Sequence, residues 1–326
     1  IDNMTSRFGI NISQINECLR IIKNSKIEII GFSFHINNYN LDDRIYAIRK
    51  IIKLSEKYDI KIIGMPYTLD GVERFYDMGE NTDFKLLNNR MREGAMPITS
   101  ALNPQDYIDY FEPIFKAGQD IFYVHFSDKL SGTFNYMKTA LDELKEKYPD
   151  RKITLFNTKS ICYGAGIQAL EAGKLHYEGK SDEEILEFLN DFTTHIATHF
   201  VVDSLTHLKR GGRIGATSAV IGSLLNIKPI IKVTDEGKLE KYATAKGLKK
   251  ALSLIVSDCV KGVRELEKYP ILIVDADNKE MADYAENLVK ETLGDKAKIE
   301  RYPIGPVIGA HCGPGTVGVI YYAEKR

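Results

Sequence analysis

The sequence predicts an α/β fold, because strand-like apolar runs alternate with helix-like segments along nearly the whole chain. Amphipathic segments such as 182–196 and 278–293 have the spacing of apolar residues that a helix packed on a sheet requires. Alternation of this kind is typical of sheets flanked by helices, and it favours strands that run largely in parallel. The length of 326 residues is enough for about two domains.

The predicted strands are short and rich in the β-branched and aromatic residues that strands favour. They span residues 27–30, 60–65, 120–125, 153–156, 199–202, 227–233 and 271–275. A helical pattern over 41–57 precedes the second of them, and the polar stretch 80–97 is interpreted as a surface excursion. We place the main division of the chain near 157–166.

The composition excludes several classes of function. Hydrophobic residues make up 44% and charged residues 27% of the chain, and 44 Lys and Arg balance 45 Asp and Glu. Such a balance does not indicate nucleic-acid binding or a polybasic membrane anchor. No apolar run reaches the roughly 18–20 residues of a membrane-spanning helix. We therefore expect no nucleic-acid partner and no stable membrane insertion, although transient membrane contact stays compatible with the sequence.

The four cysteines are scattered along the chain without a Cys-x-x-Cys pair. They are Cys18, Cys162, Cys259 and Cys312. This spacing predicts neither a zinc site nor a disulfide framework. Because no signal-peptide pattern is present either, we expect a cytoplasmic protein without a bound metal.

Two segments place hydroxyl groups directly ahead of predicted helices. Thr99 and Ser100 precede a helical pattern over 105–115, where such hydroxyls cap the helix or donate to an anion. The turn 131–133, Ser-Gly-Thr, lies between a strand and the helical pattern 134–145. Free N–H groups and the helix dipole favour a carboxylate or phosphate there, and the glycine allows a close approach. A capped turn without a ligand fits this segment equally well.

Two later segments carry a cation and an imidazole next to glycines. Arg213 follows the pair Gly211-Gly212, so its guanidinium either binds an anion or forms a surface ion pair. His311 lies within a Gly- and Pro-rich loop, which suits a hydrogen-bonding or proton-sharing group. Its neighbour Cys312 is either a nucleophile or a small buried residue.

Taken together, these segments resemble the DegV family from about residue 58 onward. The resemblance lies in Thr-Ser at 99–100, Leu-Ser-Gly-Thr at 130–133, Gly-Gly-Arg-Ile at 211–214, Asn-Ile-Lys-Pro at 226–229 and Gly-Ala-His-Cys-Gly-Pro-Gly at 309–315. Each motif is weak alone, but their joint occurrence in this order is specific.

The resemblance implies a two-lobed α/β carrier with mainly parallel sheets and a lipid tunnel between its lobes. The lobes would span 58–160 and 161–326, after an atypical N-terminal segment 1–57. The bound molecule would be one long-chain fatty acid, and the protein would use no cofactor, no metal and no catalytic residue. In bacteria, family members present the acid to the separate catalytic subunit of a fatty acid kinase. The acyl-phosphate made there enters phospholipid synthesis.

The family's motifs also imply roles for particular residues. The carboxylate would be bound by the hydroxyls and N–H groups of Thr99, Ser100, Ser131, Gly132 and Thr133. Two further residues, Arg213 and His311, would lie near the head group or contact the kinase.

The N-terminus departs from that family, whose first strand ends in Asp-Ser. Instead, segments 6–10 and 31–39 resemble a fragment of a pyridoxal-phosphate-dependent decarboxylase barrel, in which His35 would stack on the cofactor. The fragment lacks the barrel's Schiff-base lysine and glycine-rich phosphate loop. A decarboxylase or racemase, which rests on this fragment alone, is the alternative function. A hydrolase using Ser131 or Cys312 with His311 is a third possibility, without the Gly-x-Ser-x-Gly turn of such enzymes.

Overall fold

Strands and helices alternate through the part of the chain that the computed structural model describes, residues 42–75, 84–214 and 226–326. Its strands are β1 (Pro66–Leu69), β2 (Val72–Phe75), β3 (Ile98–Thr99), β4 (Ile121–His125), β5 (Ile153–Asn157), β6 (Ile196–Val201), β7 (Ile227–Val233), β8 (Leu239–Lys246), β9 (Ile271–Asp275), β10 (Ile299–Pro303) and β11 (Val317–Tyr322). Its helices are α1 (Asp42–Lys57), α2 (Phe84–Arg92), α3 (Pro104–Lys116), α4 (Thr133–Lys147), α5 (Tyr163–Tyr177), α6 (Asp182–Phe192), α7 (Thr206–Arg210), α8 (Leu248–Gly262), α9 (Lys279–Leu293) and α10 (Pro306–Cys312).

The predicted α/β class is confirmed, but the sheets are mixed rather than mainly parallel. A six-stranded sheet has the order β10-β9-β11-β6-β7-β8, and only β9 and β10 within it run in parallel. Strand β11 enters between β9 and β6 and is antiparallel to both, while β7 and β8 form an antiparallel hairpin. The prediction of parallel sheets was wrong because sequence alternation does not show where a late strand such as β11 inserts.

The six-stranded sheet is buried on both faces at strand β9. All five residues of β9 are buried, and their side chains alternate between the two faces. Ile271 and Ile273 pack with helices α8 and α9, whereas Leu272 and Val274 pack on the opposite side with Phe192. Because burying each such side chain contributes roughly 1.5–3 kcal/mol, this double packing makes the sheet the main source of stability.

Two smaller sheets lie earlier in the chain. Strands β2-β1-β3 form an antiparallel sheet, and β4 and β5 pair in parallel. Helices α3 and α4 bury a cluster of apolar side chains that includes Tyr107, Phe111 and Met137. A capping box fixes the start of α3, since Asn103 and Asp106 each accept the other's main-chain N–H.

Most predicted elements agree with the observed ones. The strands predicted over 227–233 and 271–275 have those bounds, and those over 120–125 and 153–156 differ by one residue at one end. Segment 60–65 is not a strand, because the chain pairs only from Pro66 onward. The strand predicted at 27–30 lies outside the described residues.

Helix α1 is joined to the C-terminal part of the chain. Lys50 Nζ donates to Glu300 of β10 at 2.5 Å, and Ile51 packs against the core on that side of the sheet. Residues from Tyr46 to Arg326 belong to one compact unit. The proposed lobe bounds, 58–160 and 161–326, remain a prediction.

Candidate functional site

Thr99 and His311, which are 212 residues apart in the chain, meet in the structure. Thr99 Oγ1 lies 2.8 Å from His311 Nε2. Thr99 is the second residue of the short edge strand β3, and His311 lies in the last turn of α10. The tertiary fold thus joins two of the motifs that the sequence analysis had singled out separately.

Glycines allow helices α7 and α10 to approach each other closely. A Cβ atom on Gly211, at the end of α7, would lie 2.4 Å from Nδ1 of His311. In the reverse direction, a Cβ atom on Gly313, just after α10, would lie 2.5 Å from Cδ2 of His207. Since real Cβ contacts are longer than this, both imidazole rings occupy space that only glycine leaves open.

Arg213 connects Gly211, at the end of α7, to the turn ahead of α4. Its Nε donates to the carbonyl of Leu130 at 3.2 Å, and its Nη1 donates to the carbonyl of Gly211. Leu130 is followed directly by Ser131, so the guanidinium lies next to the predicted anion-binding turn. We take Thr99, Ser131, Gly132, Arg213 and His311 together as the candidate site. Ser131, Gly132 and Arg213 line one cavity, whereas Thr99 and His311 do not line it and are linked to it through Gly211 and Arg213.

The Ser-Gly-Thr turn contains one hydroxyl near the surface and one in the core. Ser131 Oγ accepts the N–H of Thr133 at 3.3 Å, and Gly132 is exposed at the start of α4. The hydroxyl of Thr133 is 2.8 Å from the hydroxyl of Tyr107 and 3.5 Å from the carbonyl of Leu102. Because Thr133 is only 1% exposed, its hydroxyl serves the packing of α3 on α4.

Ser100 stands apart from this group in its observed contacts. It is exposed, and its main-chain N–H donates to the carbonyl of Pro66 at 3.2 Å, which extends the pairing of β3 with β1. Its predicted role in binding a carboxylate stays a prediction.

The site is electropositive although its histidine is neutral. Burial, followed by the positive charges of Arg213 and Arg210, lowers the pKa of His311 to about 4. The imidazole therefore carries no charge near pH 7. The cavity beside Ser131 is lined by three cations, Arg213, Lys129 and Lys138, and by one carboxylate, Asp128, which pairs with Lys129 at 3.4 Å. Its lining therefore keeps a net positive charge.

Two adjoining cavities meet at Arg213. One, of about 460 Å³, opens at the N-terminus of α4 and is lined by Ser131, Gly132 and Lys138 among others. The other, of about 610 Å³, lies along the six-stranded sheet and its β7–β8 hairpin. Ala197, Val233 and Leu239 line it, but most of its lining side chains are polar or charged, such as those of Lys232 and Glu240. Both volumes lie within the roughly 300–1,000 Å³ of small-molecule sites in proteins.

Sequence reasoning missed two residues that contact the site. Arg210 donates to the carbonyls of Pro97 (2.7 Å) and Ala310 (3.4 Å), and His207 packs against Gly313. The only signal for Arg210 was its place in the run Lys209-Arg210 before the glycine pair. That run does not show which of the two cations reaches the carbonyls of Pro97 and Ala310.

The observed contacts do not favour a hydrolase. His311 Nε2 contacts Thr99 rather than Ser131, and Cys312 is buried. Burial raises the pKa of the Cys312 thiol to about 11, so the thiolate that acts as a nucleophile is scarce near neutral pH.

The described residues form no group of three or more His, Cys, Asp or Glu side chains that could hold a metal ion. In the same part of the chain, no helix is both long and apolar enough to cross a membrane. His35, on which the pyridoxal-phosphate alternative depends, lies outside the described residues.

Comparison with known proteins supplies the family context. The model of a family described as uncharacterised proteins of the DegV family matches residues 51–324. A DegV domain-containing protein of Clostridium perfringens is 37% identical over 268 residues, which cover 82% of this chain and 92% of that protein. Segments 6–10 and 31–39, for which a resemblance to a pyridoxal-phosphate enzyme was predicted, lie outside the family match, and the comparisons do not support that resemblance.

Solved structures show the same fold. A DegV family protein from Thermus thermophilus, described by its fatty acid binding, has a TM-score of 0.73 and 27% identity, covering 83% of this chain and 94% of its own. DegV of Bacillus subtilis, described as a fatty acid binding protein, has a TM-score of 0.68 and 25% identity. That match covers 84% of this chain and 95% of the other.

Proposed function

Since the chain belongs to the DegV family, we propose that it is a cytoplasmic carrier of one long-chain fatty acid. It presents the carboxylate of this acid to a separate fatty acid kinase. The observation that carries the proposal is that Ser131, Gly132 and Arg213 line one cavity at the open N-terminus of α4. Two structurally similar proteins of the family are described as binding fatty acids.

The chemistry of the candidate site suits a carboxylate. The N-terminus of α4 offers main-chain N–H groups and the positive end of a helix dipole. Arg213 supplies a nearby cation, and Thr99 with the neutral His311 supplies uncharged hydrogen-bonding groups. A carboxylate bound by such groups keeps its charge paired, which avoids the cost of burying it alone.

The acyl tail supplies most of the binding free energy in this proposal. Each buried CH₂ group contributes about 0.8 kcal/mol, so a sixteen-carbon tail contributes roughly 10 kcal/mol before ordering costs. The larger cavity adjoins the site at Arg213, but its lining is mostly polar or charged, so it does not supply the apolar surface that the tail requires.

Presentation to a kinase requires that the head group stay reachable from outside. Gly132 is exposed, and the cavity beside it is lined by Lys129 and Lys138. A bound carboxylate next to Gly132 would therefore face solvent and a positively charged rim. In this proposal the chain breaks and forms no bond, and it needs neither a metal nor a nucleotide of its own.

Identifying the lipid that the purified protein carries tests the binding proposal. We expect organic-solvent extraction and mass spectrometry to release close to one fatty acid per chain. Delipidated protein should then bind a fluorescent fatty acid analogue, and unlabelled palmitate should displace it. Absence of a co-purified lipid together with absence of binding would overturn the proposal.

The presentation step is tested separately with the catalytic subunit of a bacterial fatty acid kinase. We expect that subunit to consume ATP and form acyl-phosphate when it receives the lipid-loaded protein. The matched control is the same protein after delipidation, which should support no turnover. A loaded protein that supports no acyl-phosphate formation with kinases of several DegV-containing bacteria would contradict the presentation step while leaving fatty-acid binding intact.

Two hydroxyl substitutions in one turn distinguish ligand binding from packing. Ser131→Ala is expected to weaken palmitate binding about tenfold with little change in stability, because a hydrogen bond to a charged group contributes about 1.5–3 kcal/mol. Thr133→Val is expected to lower the free energy of unfolding by about 1–3 kcal/mol, because it removes one of the two hydroxyl partners, Thr133 and Tyr123, of the buried Tyr107 hydroxyl. Titration with palmitate and urea unfolding measure the two effects. Equal effects of both variants on affinity would contradict this assignment.

A further inference from the structure

Strand β3 has few contacts that hold Thr99 in place. It contains only two residues, lies at the edge of its sheet, and pairs with β1 through Tyr67 and Thr68, with one further bond from the Ser100 N–H to the Pro66 carbonyl. Ile98, the other residue of β3, is 64% exposed. Such a short edge strand frays easily unless another element holds it, yet Thr99 has to meet His311 within 2.8 Å.

Arg210 bridges this strand and the helix that contains His311. Its Nη2 donates to the carbonyl of Pro97 at 2.7 Å, one residue before β3, and is 3.4 Å from the carbonyl of Ala310. Pro97 and Ala310 are 113 and 100 residues away from Arg210 in the chain. Each of them lies within two residues of one partner of the Thr99–His311 contact.

We propose that Arg210 is a positioning residue of the carboxylate site, whose guanidinium ties β3 to α10 and thereby holds Thr99 against His311. The inference rests on the proposed function for its effect on fatty-acid binding. Its structural part, the tie between β3 and α10, is independent of any ligand. Arg210 differs in this from Arg213, which contacts Leu130 beside the α4 turn and lines the cavities.

The geometry of the guanidinium favours arginine over lysine at this position. Both bonds come from Nη2, whose two N–H groups are fixed in the plane of the guanidinium and therefore point at two carbonyls on different elements. A lysine keeps the positive charge but presents it on a compact ammonium at the end of a flexible stem. Arg210→Lys therefore separates positioning from charge, whereas Arg210→Met removes both.

Three variants of the full chain test the proposal. Arg210→Lys and Arg210→Met are expected to weaken palmitate binding at least tenfold. Both should also speed hydrogen exchange of the Ser100 amide, which bonds to the carbonyl of Pro66 next to β3. Lys209→Met removes the adjacent exposed cation of α7 and should change affinity by less than twofold. Urea unfolding confirms that each variant is folded.

The titration of His311, followed by NMR, separates the two roles of Arg210. The charged and titratable groups that face His311 are Arg213, Arg210 and the imidazole of His207. We expect the pKa of His311 to rise in Arg210→Met, because a nearby positive charge is lost, and to stay low in Arg210→Lys. Weak binding by the lysine variant despite a low pKa of His311 identifies positioning rather than charge.

Wild-type affinity in Arg210→Lys, or unchanged Ser100 exchange in both variants, would overturn the proposal. If the wild-type protein binds no fatty acid, the proposed function fails by itself. Ser100 exchange and the His311 titration still decide whether Arg210 positions Thr99 and His311.

Discussion

Replacing Gly211 by alanine is expected to weaken fatty-acid binding at least tenfold. The new Cβ atom would lie 2.4 Å from Nδ1 of His311 and 3.3 Å from the carbonyl oxygen of His207. The imidazole would have to move away from α7, and this movement would break its contact with Thr99 Oγ1. Forced overpacking of this kind also costs about 1–3 kcal/mol of stability.

Palmitate titration and urea unfolding of the Gly211→Ala protein measure these two effects. Gly166→Ala is the matched control, because Gly166 lies within α5 and a Cβ atom there would meet no neighbouring group within 4 Å. The control should keep wild-type affinity and gain up to about 1 kcal/mol of stability from the better helix propensity of alanine. Wild-type affinity in Gly211→Ala would show that the position of the His311 ring does not matter for binding.

Replacing Gly313 by alanine is expected to cause the largest loss of stability, about 3 kcal/mol or more. Gly313 has φ 80° and ψ 166°, a backbone conformation that is essentially restricted to glycine, and forcing alanine into it costs about 1–3 kcal/mol. Its Cβ atom would also lie 2.5 Å from Cδ2 and 3.1 Å from Cγ of His207, so overpacking adds about 1–3 kcal/mol.

The midpoint of guanidinium chloride unfolding measures the effect of Gly313→Ala, with Gly166→Ala again as the control. A clear decrease of the midpoint at an unchanged slope is expected, because the fold and the surface exposed on unfolding stay the same. If the midpoint did not move, the packing of His207 on Gly313 and the backbone conformation there would both be refuted. A second variant, His207→Ala, should partly relieve the steric clash in Gly313→Ala but not its backbone strain.

Much of the local structure could be predicted from residue patterns alone. The apolar runs at β7 and β9 predicted their strands to the residue: β9 is buried throughout, and β7 is buried at 229–231 and 233. The order strand, Ser-Gly-Thr, helix predicted the exposed start of α4. Segment 60–65 was mispredicted because an apolar run shows burial rather than pairing, and Ile63 and Met65 are in fact packed against the cluster between α3 and α4.

The roles of neighbouring hydroxyls and cations could not be predicted in the same way. Ser131 and Thr133 are equivalent as donors in the sequence, but Tyr107 and Leu102 place the Thr133 hydroxyl in the core. Arg210 and Arg213 flank the same glycine pair, yet one contacts Pro97 and the other contacts Leu130. In each case the deciding partner is between 26 and 113 residues away along the chain.

The sequence by itself determined the α/β class, the glycine-containing turns and the residue types available for a carboxylate, because these depend on local patterns of burial and backbone conformation. Only the tertiary structure decided that β11 enters antiparallel between β9 and β6, and that Thr99 meets His311. It also decided that Arg210 bridges β3 and α10. These contacts join segments far apart in the chain. A local sequence pattern does not specify which distant residues will pack against it, because that depends on how the whole chain folds.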